Sequence, residues 1–114
     1  MKLKIINNVP KTLYHATYKP LLNKIKTLGL GNTKRTNWQD SKAGVVYLSE
    51  DPYVAESYAE TAEEVPETWL DEIVILQIDT TNLNVTDFFI DRNNLNADTI
   101  EYHGIIPSEY ISLY

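Results

Sequence analysis

Gly44-Val45-Val46-Tyr47-Leu48-Ser49, followed by Asp51-Pro52-Tyr53-Val54-Ala55-Glu56-Ser57-Tyr58-Ala59, is the stretch whose reading decides the fold. Its first six residues make a near-continuous apolar run, which predicts a strand buried on both faces. Asp51 offers a side-chain oxygen to the free N–H groups of a helix start. Pro52 suits the first helical position because its missing N–H is not needed there. Val54, Ala55, Tyr58, Ala59 and Ala62 recur at helical spacing, so the helix should run on and stop before Pro66.

Upstream of this unit, Thr12-Leu13-Tyr14-His15-Ala16-Thr17 follows Pro10 and is rich in aromatic and β-branched types, which predicts a strand. Lys2 to Asn7 predicts a short edge strand. Pro20 opens a first helix whose apolar face carries Leu21, Leu22, Ile25 and Leu28, and Gly29 and Gly31 stop it. Between Asn32 and Ala43 lies a polar loop carrying Lys34, Arg35 and Lys42, with Trp38 as its isolated aromatic.

Downstream, Glu72 to Asp79 is the most hydrophobic stretch and predicts the centre of a sheet. Thr80 to Val85 reads as a turn and a short strand, Asp87 to Ile90 as a turn or helical stub, and Asp91 to Asp98 as a polar loop. Two closing strands are expected over Thr99–His103 and Tyr110–Leu113, joined by a turn holding Gly104 and Pro107. Short strands, two early helices and a β-rich second half define an α+β fold.

The chain has 114 residues, which fits one domain spanning 1–114, since domains commonly take about 100–150. Apolar residues make up 43% and charged residues 23%, the balance of a globular chain rather than a disordered one. Cysteine is absent, which excludes disulfides, thiolate nucleophiles and sulfur-ligated zinc. No apolar run approaches the roughly 20 residues that cross a bilayer, and the N-terminal apolar stretch is too short for a secretory signal. The expected setting is the cytoplasm of a bacterial or phage-infected cell, with no membrane partner.

Charge is unevenly placed. Residues 1–42 carry nine cations against one acid, Asp40, for a net +8, whereas residues 43–114 carry one cation, Arg92, against fifteen acids, for a net −14. The overall −6 disfavours a phosphate polymer as partner. Two readings of the asymmetry stay open: the first third attracts a small anion, or the two halves interleave in the fold.

Common catalytic signatures are missing. The chain has no glycine-rich phosphate loop, no G-x-S-x-G, no H-E-x-x-H and no calcium loop, and its two histidines, His15 and His103, lack ligand-like spacing. No metal site is expected. What remains is a set of polar residues inside apolar strands: His15, Tyr47 and Glu101. A glutamate within a strand is costly unless paired or facing water, and in a half-exposed strand Glu101 simply faces water. His15 reads equally as a satisfied buried histidine, and Tyr58 as a core residue of an amphipathic helix.

Taken in order, Leu13-Tyr14-His15-Ala16-Thr17, the helix ending in Leu28-Gly29-Leu30, Gly44 to Ser49, and Ala55 with Tyr58 resemble the NAD-dependent ADP-ribosyltransferase family. The closing Glu101-Tyr102-His103-Gly104-Ile105-Ile106-Pro107 is similar to the family's catalytic-glutamate strand and the turn after it. The match is with the diphtheria-toxin and poly(ADP-ribose) polymerase branch, the His-Tyr-Glu type, and spans residues 12 to 113. It implies a split antiparallel β-sheet core with two or three short helices.

The resemblance also implies a mono-ADP-ribosyltransferase with NAD as substrate and no metal. ADP-ribose would pass to a macromolecular acceptor, a host protein in preference to nucleic acid. Small size and acidity suggest a phage or mobile-element effector.

Breaking the nicotinamide–ribose bond develops positive charge on the sugar, and a fixed carboxylate stabilises it. By resemblance Glu101 takes that role, bonded to the ribose 2′-hydroxyl. His15 donates to a ribose hydroxyl, and the backbone of Ala16 holds the carboxamide. Tyr47 and Tyr58 flank the nicotinamide ring. Thr17, Ser49 and Ala55 complete the pocket, and Lys34, Arg35 and Lys42 neutralise the pyrophosphate.

Two positions depart from the family pattern. Ala16 stands where glycine is frequent, and its methyl would narrow the carboxamide approach. Ala55 stands where serine is frequent, losing one hydrogen bond worth about 0.5–1.5 kcal/mol. Other functions on the same fold are an inactive nucleotide- or protein-binding module and an RNA 2′-phosphotransferase-like enzyme. The latter fits less well, because Tyr47 and Glu101 hold the decisive positions.

Overall fold

The structure, a computed structural model, describes residues 2–4, 9–31, 45–60, 66–91 and 99–114. Among them two antiparallel sheets form, with few and short helices, as expected of an α+β chain. The first sheet has four strands in the order β1 (Lys2–Lys4), β5 (Phe88–Asp91), β6 (Thr99–His103) and β3 (Val45–Leu48). The second has β2 (Thr12–Tyr18), β4 (Ile73–Asp79) and β7 (Ile111–Leu113). Helix α1 (Leu22–Leu28) follows a 3-10 turn over Lys19–Leu21, and α2 (Pro52–Glu60) follows β3.

Alternation along the strands builds the core. Val46 and Leu48 on β3, Ile100 and Tyr102 on β6, and Phe88 on β5 turn one way; Leu13 on β2 and Leu76 and Ile78 on β4 meet them. A second cluster covers the other face of β2, where Ala16 and Tyr18 pack against Ala55 and Ala59 of α2. Alanine at both helical positions lets α2 lie close on the strand. The Tyr18 hydroxyl donates to the Ala59 carbonyl at 2.7 Å and so satisfies one of the acceptors that a helix end leaves over. Burial pushes the Tyr18 phenol above its ordinary range.

Several expectations hold. β1 is an edge strand, β4 is the middle of its sheet, and Asp51 Oδ1 accepts from the Tyr53 N–H at 2.8 Å at the start of α2. Gly29 and Gly31 stop α1 with φ of 73° and 82°. Leu30 between them exchanges two backbone hydrogen bonds of 2.9 Å with Ile106. A Cβ on Gly29 would stand 2.2 Å from the Ile106 carbonyl oxygen, so glycine is required where this passage meets the closing turn.

Other expectations are corrected. β3 lies at the edge of its sheet with Val45 and Tyr47 half-buried, not buried on both faces: a continuous apolar run does not distinguish a central strand from an edge strand with a covered outer face. Phe88–Asp91 is a strand, because pairing with β6 overrides the local turn signal of Asp87. No strand forms over Thr80–Val85. Asp79 Oδ1 accepts from the Thr81 N–H and Asn84 Oδ1 from the Thr86 N–H, holding turn and 3-10 geometry there. The Asp79 carboxyl sits below the ordinary range because Thr81 donates to it from side chain and backbone. Of the α1 face only Ile25 is buried, and Leu28 is exposed. The polar loop 32–43 and most of 91–98 lie outside the described residues.

Candidate functional site

The two sheets meet at one point and then part. Tyr14 of β2 and Ser49, just past β3, exchange backbone hydrogen bonds of 2.8 and 2.9 Å. Continued in antiparallel register, that bridge would set Ala16 opposite Tyr47, and the Ala16 N–H would bond the Tyr47 carbonyl. Instead His15 Nδ1 bonds the Tyr47 carbonyl oxygen at 2.8 Å. The imidazole takes the place of a ladder bond, and the strands fork around it.

Strand geometry then fixes which groups face the fork. Backbone groups two residues apart point the same way, so the N–H and C=O of Ala16 follow those of Tyr14, away from β4 and toward β3. Among the described residues no hydrogen bond is made to them. The Ala16 methyl packs with Ala55 and Ala59.

A carbonyl oxygen only accepts, so Nδ1 carries the proton of the neutral ring. Burial lowers the His15 pKa from its ordinary value, opposed in part by the bond to Tyr47. At neutral pH the ring is therefore uncharged and Nε2 is an acceptor. This reverses the donor role the resemblance implies: a hydroxyl bound at Nε2 would donate to the ring.

Glu101 lies on β6 directly across from Tyr47 on β3 and from Phe89 on β5. It projects from the face opposite Ile100 and Tyr102, the side shared by Tyr47, Ser49 and Tyr14. The expectation that it faces water is wrong: Glu101 is 0% exposed. Burying a carboxylate is costly without partners, and His103 Nε2 supplies one, 2.9 Å from Oε1. The His103 ring lies against Phe89, with centroids 4.2 Å apart and planes at 35°.

His15 is thus tied to the Tyr47 backbone at the fork, and Glu101 is paired directly across from Tyr47. Ser49 is adjacent and buried, and its Oγ accepts from the Asp51 N–H at 3.1 Å, so it shapes the entry into α2. Thr17 is buried with its side chain on the core side of β2, the face it shares with Leu13 and His15, opposite to that of Tyr47 and Glu101. Ala55 packs on Ala16. Tyr58 is half-buried and stands outside both apolar clusters, so it is not the core residue that helical spacing alone suggested. Lys34, Arg35 and Lys42 lie outside the described residues.

Sequence reasoning missed His103 and Phe89. The signal for His103 was present: residues two apart on a strand share a face, so Glu101-Tyr102-His103 places an imidazole beside the carboxylate. Phe89 carries no such signal, because Asp87 to Ile90 reads locally as a turn or helical stub. No cluster of potential metal ligands occurs among the described residues, and none of their helices is long and apolar enough to cross a membrane. The chain matches no known family model and no curated protein.

Proposed function

We propose that this chain is a mono-ADP-ribosyltransferase of the His-Tyr-Glu type, which cleaves NAD between nicotinamide and ribose and passes ADP-ribose to a macromolecular acceptor, a protein in preference to nucleic acid. One observation carries the reading: a buried carboxylate, Glu101, stands across from Tyr47 at a fork where the His15 ring takes the place of a ladder bond, and no hydrogen bond to the Ala16 backbone on that side occurs among the described residues.

Each part has a chemical use. A primary carboxamide has one acceptor and two donors, and the Ala16 N–H and C=O offer the complementary pair. Tyr47 and Tyr58 flank the nicotinamide ring. A ribose hydroxyl donates to His15 Nε2. As the bond from C1′ to the nicotinamide nitrogen breaks, its electron pair leaves with nicotinamide, and Glu101 stabilises the positive charge left on the sugar. The acceptor's nucleophile then bonds C1′ and releases its proton to solvent.

The test uses the full chain with NAD labelled in the adenylate half, with and without host lysate, and follows nicotinamide release and label transfer. Glu101→Gln keeps the shape and removes the charge. It should lower nicotinamide release by about 100-fold or more, the loss typical when one transition-state electrostatic group is removed. Release within a few-fold of wild type would refute the assignment. Saturable NAD binding without turnover by the unaltered chain would favour a binding module instead.

A further inference from the structure

Nothing in the proposed transfer chemistry uses His103, yet its ring is placed with more constraint than a surface histidine needs. Its Nε2 lies 2.9 Å from Glu101 Oε1, and its face rests on Phe89 at 4.2 Å between centroids. The side chain is 36% exposed, while the carboxylate it holds is wholly buried. A glutamate side chain has three rotatable bonds, and strand pairing fixes only its Cα. A donor anchored on the same strand, two residues on and backed by an aromatic ring, fixes the carboxylate as well.

We propose that His103, backed by Phe89, is a positioning residue that sets the plane of the Glu101 carboxylate for its work at the sugar. The inference rests on the transfer reading and deepens it. An N–H bond from Nε2 holds one carboxylate oxygen in the strand's own frame, so the group meets the developing charge without a reorganisation step. The role requires an N–H donor at that place and nothing else of the imidazole. Glutamine, whose amide can reach a carboxylate two residues away, should therefore restore it, and alanine should not.

The experiment compares kcat and KM for NAD in the full-length wild type, His103→Ala, His103→Gln and Phe89→Leu, by nicotinamide release, with thermal melts to confirm folding. His103→Ala should lower kcat by about 10- to 100-fold, the range a small misplacement of a reacting group produces. KM should stay within about threefold, His103→Gln should recover most of the loss, and Phe89→Leu should fall between. A merely structural histidine would shift the melt without splitting kcat from KM. Wild-type kcat in His103→Ala, glutamine as poor as alanine, or an effect confined to KM would overturn the inference while leaving the transfer reading intact. Where His103→Ala does not fold, Phe89→Leu decides, and wild-type kcat there overturns it. A wild type that releases no nicotinamide sinks the transfer reading and this role with it.

Discussion

Replacing His15 tests the fork itself, apart from any catalysis. The residue is 7% exposed and its Nδ1–H is bonded to the Tyr47 carbonyl at 2.8 Å. His15→Ala leaves that acceptor without its donor at about 1–3 kcal/mol and forfeits ring burial worth about 1–2 kcal/mol more, for a total of about 2–5 kcal/mol. With roughly 2.1 cal/mol/K of unfolding entropy per residue, a chain of this length loses about 4 °C in Tm per kcal/mol, so a fall of about 8–20 °C is expected. His15→Asn keeps an N–H near the Nδ1 position and should recover about 1 kcal/mol. Burial lowers the pKa in the folded state, so on acidification the unfolded chain takes the proton first. This part of the stability is complete above about pH 6.5 and is lost below it, by at most about 1.4 kcal/mol per pH unit, until the folded ring also protonates. Denaturant titrations from pH 5 to 8 should show a steeper acid loss in wild type than in His15→Asn. A melt of His15→Ala within 3 °C of wild type, or identical pH slopes for wild type and His15→Asn, would refute the claim that this ring holds the fork.

Two further outcomes follow from packing. Tyr18→Phe removes the buried hydroxyl that donates to the Ala59 carbonyl at 2.7 Å, and should cost about 1–3 kcal/mol in a denaturant titration, with the loss expressed in local opening of α2 by hydrogen exchange. Gly29→Ala adds a Cβ at 2.2 Å from the Ile106 carbonyl oxygen with φ at 73°, and should destabilise by more than about 1 kcal/mol in the same titration.

Much of the fold could be read from local chemistry. Asp51-Pro52 and the Gly29–Gly31 passage have single mechanical meanings, a helix start and a left-handed stop, and the structure has both. Apolar runs were harder, since the neighbours of a run are set by distant pairing. Val45 to Leu48 reads as central but lies at a sheet edge, and Phe88–Asp91 becomes a strand only because β6 lies beside it. At the site, the residue types were legible and their environments were not. Glu101 looks like a solvent-facing residue until both neighbouring strands and His103 are in place around it. The direction of the His15 hydrogen bond depends on a backbone carbonyl 32 residues away, which no local window contains.

The fork answers a problem that any open sheet poses. Two strands that part expose backbone donors and acceptors on both sides, and orphaned groups of that kind are costly when buried. Here one side is closed by a side chain: His15 meets the Tyr47 carbonyl, so β3 keeps its acceptor satisfied although β2 has turned away. The other side, the Ala16 peptide edge, has no such substitute among the described residues. A fold that needed only stability would have continued the ladder, since Ala16 and Tyr47 are already in register. Spending a buried histidine to hold the strands apart makes sense if the gap is to be filled by something that brings its own donors and acceptors, and a primary carboxamide on a flat ring is a small group that does so. On this view His15 acts first on the protein, by keeping the site open, and only then on the ligand. The same substitution should therefore lower both fold stability and NAD affinity, whereas Glu101→Gln should lower turnover and leave binding close to intact.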